Sequence, residues 1–258
     1  MKKLNIVKIG GNIIENKLEL DRFSKLFSTM EGPKILVHGG GKKASEISKK
    51  LGIAPKMHDG RRITDEAALD VAIMVYGGLT NKKMVAQLQS HGCNAIGMSG
   101  ADGNAIQAHK RPVGTINYGF AGDIDQINAP VLKSMLELGL TPVFCALTHD
   151  QKGQLLNTNA DTIASELAIG LSVDFEVTLY YCFELSGVLA DVNNPSTLIK
   201  KIDFDEYEKL KSDGVIADGM LPKLHNCFHA LQHDVNEVRI GNLTLFEKEN
   251  SNYTTLTL

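Results

Sequence analysis

The chain has 258 residues, of which 43% are hydrophobic, and a formal net charge of −3 at pH 7. This length and apolar content suffice to bury a full core, as one large α/β domain or two smaller lobes. The small negative charge argues against a broad nucleic-acid surface. Because the first apolar runs, in MKKLNIVKIGGN, are short and broken by lysine and glycine, we expect neither a signal peptide nor a membrane span.

Cysteine and histidine positions favour a reduced protein of the cytoplasm without a metal centre. The cysteines are widely spaced and form no C-x-x-C pair: Cys93, Cys145, Cys182 and Cys227. We therefore expect buried, reduced thiols. His225, His229 and His233 recur every four residues, but no carboxylate or cysteine has matching spacing, which favours a solvated helix face over a metal site.

Short apolar runs alternate with longer periodic segments along the chain. We interpret six of the runs as buried strands, in chain order LNIVKI, KILVH, NAIGM, TPVFCAL, FEVTLYY and NEVRIG. Helical patterns lie between them. One runs from Thr64 to Ser90 with an interruption at Gly77 and Gly78, and another is NAPVLKSMLELG. This alternation predicts parallel strands with crossover helices, and the polar stretch ADVNNPSTLIKKIDFDE is at most a lobe boundary.

The stretch ILVHGGGKKASEI places three glycines between a strand and a helix. Bare backbone N–H groups at a helix N-terminus favour an anion. No G-x-x-x-x-G-K-[ST] string occurs, which excludes a P-loop. Gly39, Gly41 and Ala44 match the loose dinucleotide pattern, but Asp59 lies in IAPKMHDGRRI, which looks like a loop. A nicotinamide dehydrogenase is therefore only the runner-up.

A second glycine pair, in VKIGGN, follows Lys8 at the end of the first strand. Two such loops, one with a lysine, suggest a phosphoryl group passing between two bound molecules. The alternative interpretation is that Lys8 is an ordinary strand-edge lysine. Further along, LLNTNAD gathers Asn157, Asn159 and Asp161 before a helix, which is more than capping requires. Lys223 begins another helix and is placed to reach the same centre as Lys8.

Taken together, these motifs resemble those of the N-acetylglutamate kinases in the amino acid kinase family. The matching segments, in order, are VKIGGN, LVHGGGKKASEI, GRRITDEAALDVAIMVYGGLTNKKMV, AIGMSGADGN, LLNTNAD and IADGMLPKL. The resemblance implies the amino acid kinase fold, an open three-layer αβα sandwich with a mainly parallel central sheet. It also implies a single domain, 1–258, with an acylglutamate-binding and dimerising lobe over about 1–170 and an ATP-binding lobe over about 171–258.

The implied reaction is ATP-dependent phosphorylation of the γ-carboxylate of N-acetyl-L-glutamate to N-acetylglutamyl 5-phosphate, the second step of arginine biosynthesis. Mg²⁺ is expected to arrive with ATP, without a separate protein metal site. By resemblance, Lys8 and Lys223 stabilise the transferring phosphoryl group and Asp161 holds them. The implied substrate contacts are Gly40, Gly41, Arg62 and Asn157. The implied phosphate and nucleotide contacts are Gly10, Gly11, Glu184, Leu185, Ser186, Gly187, Val188, Leu189, Asp218, Gly219 and Met220.

One departure from the family pattern affects the nucleotide contacts. Relatives carry a Ser/Thr-Asp-Val strand end, whereas this chain has YYCFELSGVL, with Phe183 and Glu184 in place of the hydroxyl residue and the aspartate. A bulky Phe183 either reshapes the pocket near the adenine or ribose, or packs under the sheet.

The acyl group and the wider activity have alternatives. N-succinylglutamate would require a cation or amide near its extra carboxylate, such as Lys42, Lys43 or Arg61. Another carboxylate or carbamate kinase of the family is a second enzyme hypothesis. A silent amino-acid or nucleotide sensor is less favoured because both lysines and Asp161 are present.

Assembly is also predicted from the resemblance. Arginine-inhibited members of the family carry an additional N-terminal helix, whereas the first strand here begins at about Leu4. We therefore expect a homodimer that is insensitive to arginine, with small-molecule substrates as its other partners. Its interface is expected to use the long helix from Thr64, whose apolar residues exceed one stripe facing the core.

Overall fold

The computed structural model describes residues 1–58, 60–216, 220–247 and 252–258. Its strands are β1 (Lys2–Ile9), β2 (Lys34–His38), β3 (Lys56–His58), β4 (Arg61–Ile63), β5 (Ala95–Met98), β6 (Ile106–Lys110), β7 (Gly122–Ile127), β8 (Thr141–Phe144), β9 (Leu147–His149), β10 (Leu155–Asn157), β11 (Phe175–Cys182), β12 (Val188–Leu189), β13 (Leu198–Ile199), β14 (Lys201–Ile202), β15 (Glu237–Gly241) and β16 (Thr254–Leu256).

The α-helices alternate with these strands. They are α1 (Gly11–Glu15), α2 (Lys17–Thr29), α3 (Gly41–Lys50), α4 (Glu66–Ala72), α5 (Asn81–Ser90), α6 (Ala129–Glu137), α7 (Ala160–Leu171), α8 (Phe204–Ser212) and α9 (Leu221–Leu231). A π-helix, Ile73–Thr80, connects α4 and α5, and 3₁₀ turns cover Asp102–Asn104, Pro195–Thr197 and Leu243–Phe246. None of the described helices is long and apolar enough to cross a membrane.

The chain forms two compact units by its internal contacts. The first contains Met1–Lys34 and Ala164–Leu258, and the second contains Ile35–Ile163. The polar stretch ADVNNPSTLIKKIDFDE lies within the first of these units. The predicted lobes are defined by the ligands they bind, so they remain a prediction.

The first unit has strand order β14-β16-β15-β11-β1, with β1, β11 and β15 parallel. Adjacent residues of β11 face opposite sides of this sheet. Tyr180 packs near Phe246 on the side of α2, whereas the ring of Tyr181 lies 5.1 Å from Lys223 Nζ on α9. Helices therefore cover both faces of the sheet. This layering explains why its central strands bury apolar residues on both faces.

The second unit contains the parallel strands β2, β8 and β5, in the order β2-β8-β5. It also contains a four-stranded sheet, β10-β9-β6-β7, and the antiparallel hairpin β3-β4. The predicted α/β class with mainly parallel strands is confirmed. The six predicted strands appear as β1, β2, β5, β8, β11 and β15, except that TPVFCAL leaves β8 after Phe144 and enters β9 at Leu147.

Two local predictions were wrong. The helical run from Glu66 to Ser90 does not break at Gly77 and Gly78; it continues through the π-helix. Glycine has no Cβ and therefore tolerates the altered backbone of a π-helix. A glycine pair does not by itself end a helix. The segment IAPKMHDGRRI, expected to be a loop, contains β3 and β4, with Met57 opposite Arg62. Asp59 itself lies outside the described residues.

A buried polar pair connects α5 to β2 and β8 in the second unit. His38 is fully buried and its Nδ1–H donates to Gly39 O at 2.7 Å. Asn81 Nδ2 donates both to His38 Nε2 at 3.0 Å and to Val143 O at 2.9 Å. These bonds require the neutral imidazole with its hydrogen on Nδ1. A Cβ on residue 97 would overlap Asn81 Oδ1, so Gly97 leaves room for the amide.

Burial makes the His38 pair sensitive to pH. It lowers the pKa of His38 from 6.5 to about 4, whereas the unfolded chain takes up the proton near the ordinary pKa. The contribution of the neutral ring to stability is therefore complete above pH 6.5 and is lost as the pH falls towards about 4. We expect a loss of about 3 kcal/mol in the free energy of unfolding across this window.

Urea denaturation at several pH values checks this expectation. A His38→Gln variant should lose most of the His38 contribution to the slope of unfolding free energy against pH. His225 is exposed, so His225→Gln is the matched control and should keep the parental slope. A His38→Gln variant with the parental slope would contradict the assignment.

Candidate functional site

The glycine loop between β2 and α3 presents an anion-binding helix terminus. Strand β2 is buried along its length, and Gly40 and Gly41 then form the N-cap and first residue of the ten-residue α3. Within the described chain, no side chain caps this terminus and its first turn holds no acidic residue. Its first N–H groups and the helix dipole therefore favour a bound anion.

Gly40 lies directly against the π-helix. A Cβ on residue 40 would lie 2.7 Å from Tyr76 Cδ1 and 3.6 Å from Thr80 Oγ1. A side chain at this position would force the ring of Tyr76 to move. Glycine is thus required here by close packing, in addition to the access it gives an anion to the backbone.

Arg62, on β4, contacts the same loop. Its Nη2 donates to Gly41 O at 3.0 Å and to Ser45 Oγ at 2.7 Å. Arg61 precedes it on the strand and so points to the opposite face. The positive charge of Arg61 acts instead on Asp123, whose pKa is lowered chiefly by its hydrogen bond to Arg111. The structure therefore brings Arg62, and not Arg61, to the glycine loop.

Asn157 reaches the same neighbourhood through Thr64. Asn157 ends β10, and its Nδ2 donates to Thr64 Oγ1 at 2.9 Å. Thr64 is fully buried, and its hydroxyl lies 3.4 Å from Arg62 O. The four predicted substrate residues, Gly40, Gly41, Arg62 and Asn157, therefore gather in the second unit.

The LLNTNAD motif combines a helix cap with the predicted catalytic acid. Asn159 Oδ1 accepts hydrogen bonds from the N–H groups of Asp161 at 2.7 Å and Thr162 at 3.4 Å, which caps α7. Asp161 occupies the first turn, where the helix dipole favours a carboxylate. One of the three polar residues thus has a structural role, and Asp161 belongs to the second unit.

The two predicted lysines lie on the same face of the sheet as Tyr181 in the first unit. Lys8 on β1 is paired in register with Tyr181 on β11, so both side chains share one face of the sheet. Lys223 Nζ lies over the ring of Tyr181 at 5.1 Å and the ring of Phe183 at 5.7 Å. These distances are typical of cation–π contacts. The structure therefore places both lysines on the same side of β11.

Phe183 has a definite environment at the end of β11. Its ring faces Lys223, and its Cβ lies 3.6 Å from where a Cβ on Gly10 would be. The half-buried Phe183 thus has its Cβ beside Gly10 and its ring beside Lys223, two residues predicted to act on phosphate.

The other predicted nucleotide-binding residues differ in how closely they are packed. Nothing lies within 4 Å of a Cβ on Gly11, and Glu184 is exposed. In contrast, a Cβ on Gly187 would overlap Thr254 Oγ1, so this glycine is required by packing. The remaining residues are the half-buried Leu185 and Ser186, the buried Val188 and Leu189, and Met220 just before α9. Asp218 and Gly219 lie outside the described residues.

The cysteines are buried and reduced, as predicted, at Cys93, Cys145, Cys182 and Cys227. Burial raises the pKa of Cys145 to about 12 and also raises that of Cys182, so both thiols stay neutral and unreactive. His229 Nε2 lies 3.5 Å from Glu166 Oε1, beside His233. Across the described ranges, no group of three His, Cys, Asp or Glu side chains is arranged to hold a metal ion.

Sequence reasoning missed three residues of the site: Ser45, Thr64 and Tyr76. Ser45 and Thr64 contact Arg62 and Asn157 through their hydroxyl groups, and short hydroxyl residues give no distinctive pattern. Tyr76 lies in an apolar run before a glycine pair. Helical periodicity assigns such a residue to a core, and it gives no sign of a π-helix.

Comparison with known proteins extends these observations to the whole chain. The model of the amino acid kinase family matches residues 3–242. The acetylglutamate kinase of Cytophaga hutchinsonii is 54% identical over 241 residues, which cover 93% of this chain and 91% of that protein.

Solved structures share the fold. The smu.665 protein of Streptococcus mutans UA159 superposes with a TM-score of 0.78 at 23% identity, covering 100% of this chain and 99% of that one. Carbamate kinase from Giardia lamblia, bound to AMP-PNP, gives a TM-score of 0.71 at 15% identity, covering 99% and 98%. From the family match and the identity to the Cytophaga enzyme, we conclude that the chain belongs to the amino acid kinase family.

Proposed function

We propose that this chain is an ATP-dependent kinase of N-acetyl-L-glutamate, with N-acetylglutamyl 5-phosphate as product, in the second step of arginine biosynthesis. The relative at 54% identity is named acetylglutamate kinase. The observation that carries the proposal is the position of Arg62, which is hydrogen-bonded to Gly41 O and Ser45 Oγ beside an uncapped helix N-terminus. A guanidinium and free N–H groups at one place suit a substrate with two carboxylates.

The reaction requires electrostatic stabilisation more than proton transfer. A γ-carboxylate has a pKa of about 4, so it is already a nucleophile at pH 7 and needs no general base. One carboxylate oxygen attacks the γ-phosphorus, the bond from that phosphorus to the bridging oxygen breaks, and ADP leaves with the electron pair. The protein must offset the repulsion between a carboxylate and a polyphosphate.

The proposed catalytic groups are cationic. Lys8 and Lys223, which lie on the same side of β11, stabilise charge on the transferring phosphoryl group. Asp161 is proposed to hold the lysines in place. The backbone N–H groups of the glycine loop also stabilise charge on the transferring phosphoryl group. Mg²⁺ neutralises phosphate charge when it arrives with ATP, where phosphate and water oxygens are its usual ligands.

Substrate and nucleotide are proposed to bind to separate sets of residues. Arg62 binds the α-carboxylate through its planar fork, and Asn157 and the glycine loop bind the rest of the acylglutamate. Gly10 and Gly11 meet phosphate, and residues 184–189 and 218–220 meet the nucleotide. On this assignment the lobes of about 1–170 and about 171–258 are the acylglutamate and ATP lobes of a cytoplasmic enzyme.

The lysine assignment predicts a defect in turnover. We expect Lys8→Ala and Lys223→Ala each to lower kcat about 100-fold or more, because each removes a preorganised charge from the transition state. The KM for N-acetylglutamate should change much less. Exposed Lys17 provides a matched control, since Lys17→Ala should retain the parental kcat. A near-parental kcat in either test variant would remove that lysine from the chemistry.

The identity of the acyl group is tested by measuring kcat/KM for two substrates with the same enzyme preparation. We expect N-acetylglutamate to have the higher kcat/KM, because burying the extra carboxylate of N-succinylglutamate without a partner is costly. An unpaired cation in the acyl pocket would reverse the order. A preference above about tenfold for the succinyl substrate, or roughly 1.4 kcal/mol, would overturn the acetyl assignment and leave the kinase assignment intact.

We also propose a homodimer. Met74 on the π-helix is 54% exposed and Ile96 on β5 is 36% exposed, so the second unit presents apolar side chains to its surroundings. Light scattering should give twice the chain mass of 28.1 kDa. Met74→Glu should weaken the dimer if this surface forms it, whereas a charge at exposed Leu18 on α2 should not. A monomer or a hexamer would contradict the proposal.

A further inference from the structure

The hairpin that carries Arg62 gives its side chain little support. It lies on the two-stranded hairpin β3-β4, whose residues are exposed or half-buried. Fixing a long side chain costs rotamer entropy, and a short exposed hairpin supplies little packing to offset it. The bonds from Nη2 to Gly41 O and Ser45 Oγ provide part of the required order.

Tyr76 supplies a second and firmer support. It is 4% exposed and belongs to a buried cluster with Leu69, Val75 and Leu147, so its own position is fixed by packing. One edge of its ring touches the backbone of Gly40. Its hydroxyl lies at the other end of the same ring. Because the ring is rigid and the core fixes its position, both the edge beside Gly40 and the hydroxyl group have fixed positions in the site.

The hydroxyl of Tyr76 and the guanidinium of Arg62 lie beside the same residue, Gly41. A Cβ on residue 41 would lie 3.9 Å from Tyr76 Oη and 4.0 Å from Arg62 Nη2, so both groups lie against Gly41. Burial raises the pKa of Tyr76, which keeps the phenol neutral at physiological pH. The guanidinium of Arg62 acts to lower this pKa, although burial has the larger, opposite effect. A neutral phenol in this position can accept a hydrogen bond from the guanidinium, which would orient Arg62 and leave its charge available for a ligand.

The π-helix explains why Tyr76 lies beside the glycine loop. A π-helix closes hydrogen bonds to residue i+5 and shifts the face on which side chains emerge. Tyr76 and Thr80 both lie beside Gly40, while Asn81, the next residue, contacts His38 at the start of the loop. The π-helix and the first residue of α5 thus contact the glycine loop at both ends.

We propose that Tyr76 is a positioning residue for substrate binding: its hydroxyl holds Arg62 against the glycine loop, in the orientation that receives the α-carboxylate of the acylglutamate. The inference rests on the proposed function for the identity of the ligand. It concerns one hydroxyl group, so it can be separated from the packing role of the ring.

Tyr76→Phe removes the hydroxyl and keeps the ring. We expect the KM for N-acetylglutamate to rise about five- to tenfold, which is typical of losing a hydrogen bond to a charged group. The kcat, the KM for ATP and the melting temperature should stay close to parental values. Tyr180→Phe is the matched control, because Tyr180 is also buried, lies near Arg239 and belongs to the first unit. It should change neither KM.

A double-mutant cycle tests whether Tyr76 acts through Arg62. Arg62→Lys keeps the charge and loses the fork, so it should raise the same KM. Adding Tyr76→Phe to Arg62→Lys should then have little further effect. An unchanged KM in folded Tyr76→Phe overturns the inference. So does an equal fold-change in both backgrounds, because the hydroxyl would then act independently of Arg62.

A crystal structure of Tyr76→Phe without ligand tests the positioning step alone. We expect Arg62 Nη2 to leave Gly41 O, and retained contacts would overturn the inference even if the enzyme phosphorylates N-acetylglutamate. If the parental enzyme fails to phosphorylate any N-acylglutamate, the proposed function fails instead. The position of Arg62 in the crystal then still decides whether Tyr76 holds it.

Discussion

The close contact between the ring of Tyr76 and the backbone of Gly40 is the constraint on which the rest of the candidate site depends. The ring occupies the space that a side chain at residue 40 would need. This contact fixes where α3 begins, and the start of α3 in turn fixes the carbonyl of Gly41 that accepts a hydrogen bond from Arg62. An anion site made of backbone N–H groups works only if the backbone is held still, and buried packing achieves this without introducing a competing charge.

The buried polar groups of the second unit serve the same end. His38 and Asn81 exchange a hydrogen bond in the core and connect the end of β2 to α5 and β8. A buried imidazole and amide are tolerated because these hydrogen bonds partly offset their loss of water. Gly97 has no side chain where the amide lies. A core glycine, an asparagine and a histidine that look unrelated in the sequence thus form one arrangement beside the glycine loop.

The predicted site residues divide by task between the two compact units. Those assigned to the acylglutamate lie in the second unit, and both lysines lie in the first. In the first unit, Lys223 lies over the rings of Tyr181 and Phe183, and the pairing of β1 with β11 sets Lys8 beside Tyr181. Aromatic faces attract a cation, so both rings stabilise the ammonium group in this position. Phe183, a departure from the family pattern, is part of that environment.

The sequence by itself determined the α/β class, because buried parallel strands are apolar on both faces and therefore appear as continuous runs such as KILVH and FEVTLYY. It also singled out the glycine loops, the lysines, Arg62 and Asn157 as candidate site residues, because their residue types suit anionic ligands. Only the tertiary structure showed that Arg62, and not its neighbour Arg61, contacts Gly41, because the strand pairing of β4 sets which side chain faces the glycine loop. Only the tertiary structure showed that Gly187 is required by Thr254, that Asn159 is a cap, and that Gly77 and Gly78 lie in a π-helix. These facts depend on contacts between residues distant in the chain or on backbone hydrogen bonds of unusual spacing, and neither leaves a periodic signal in the sequence.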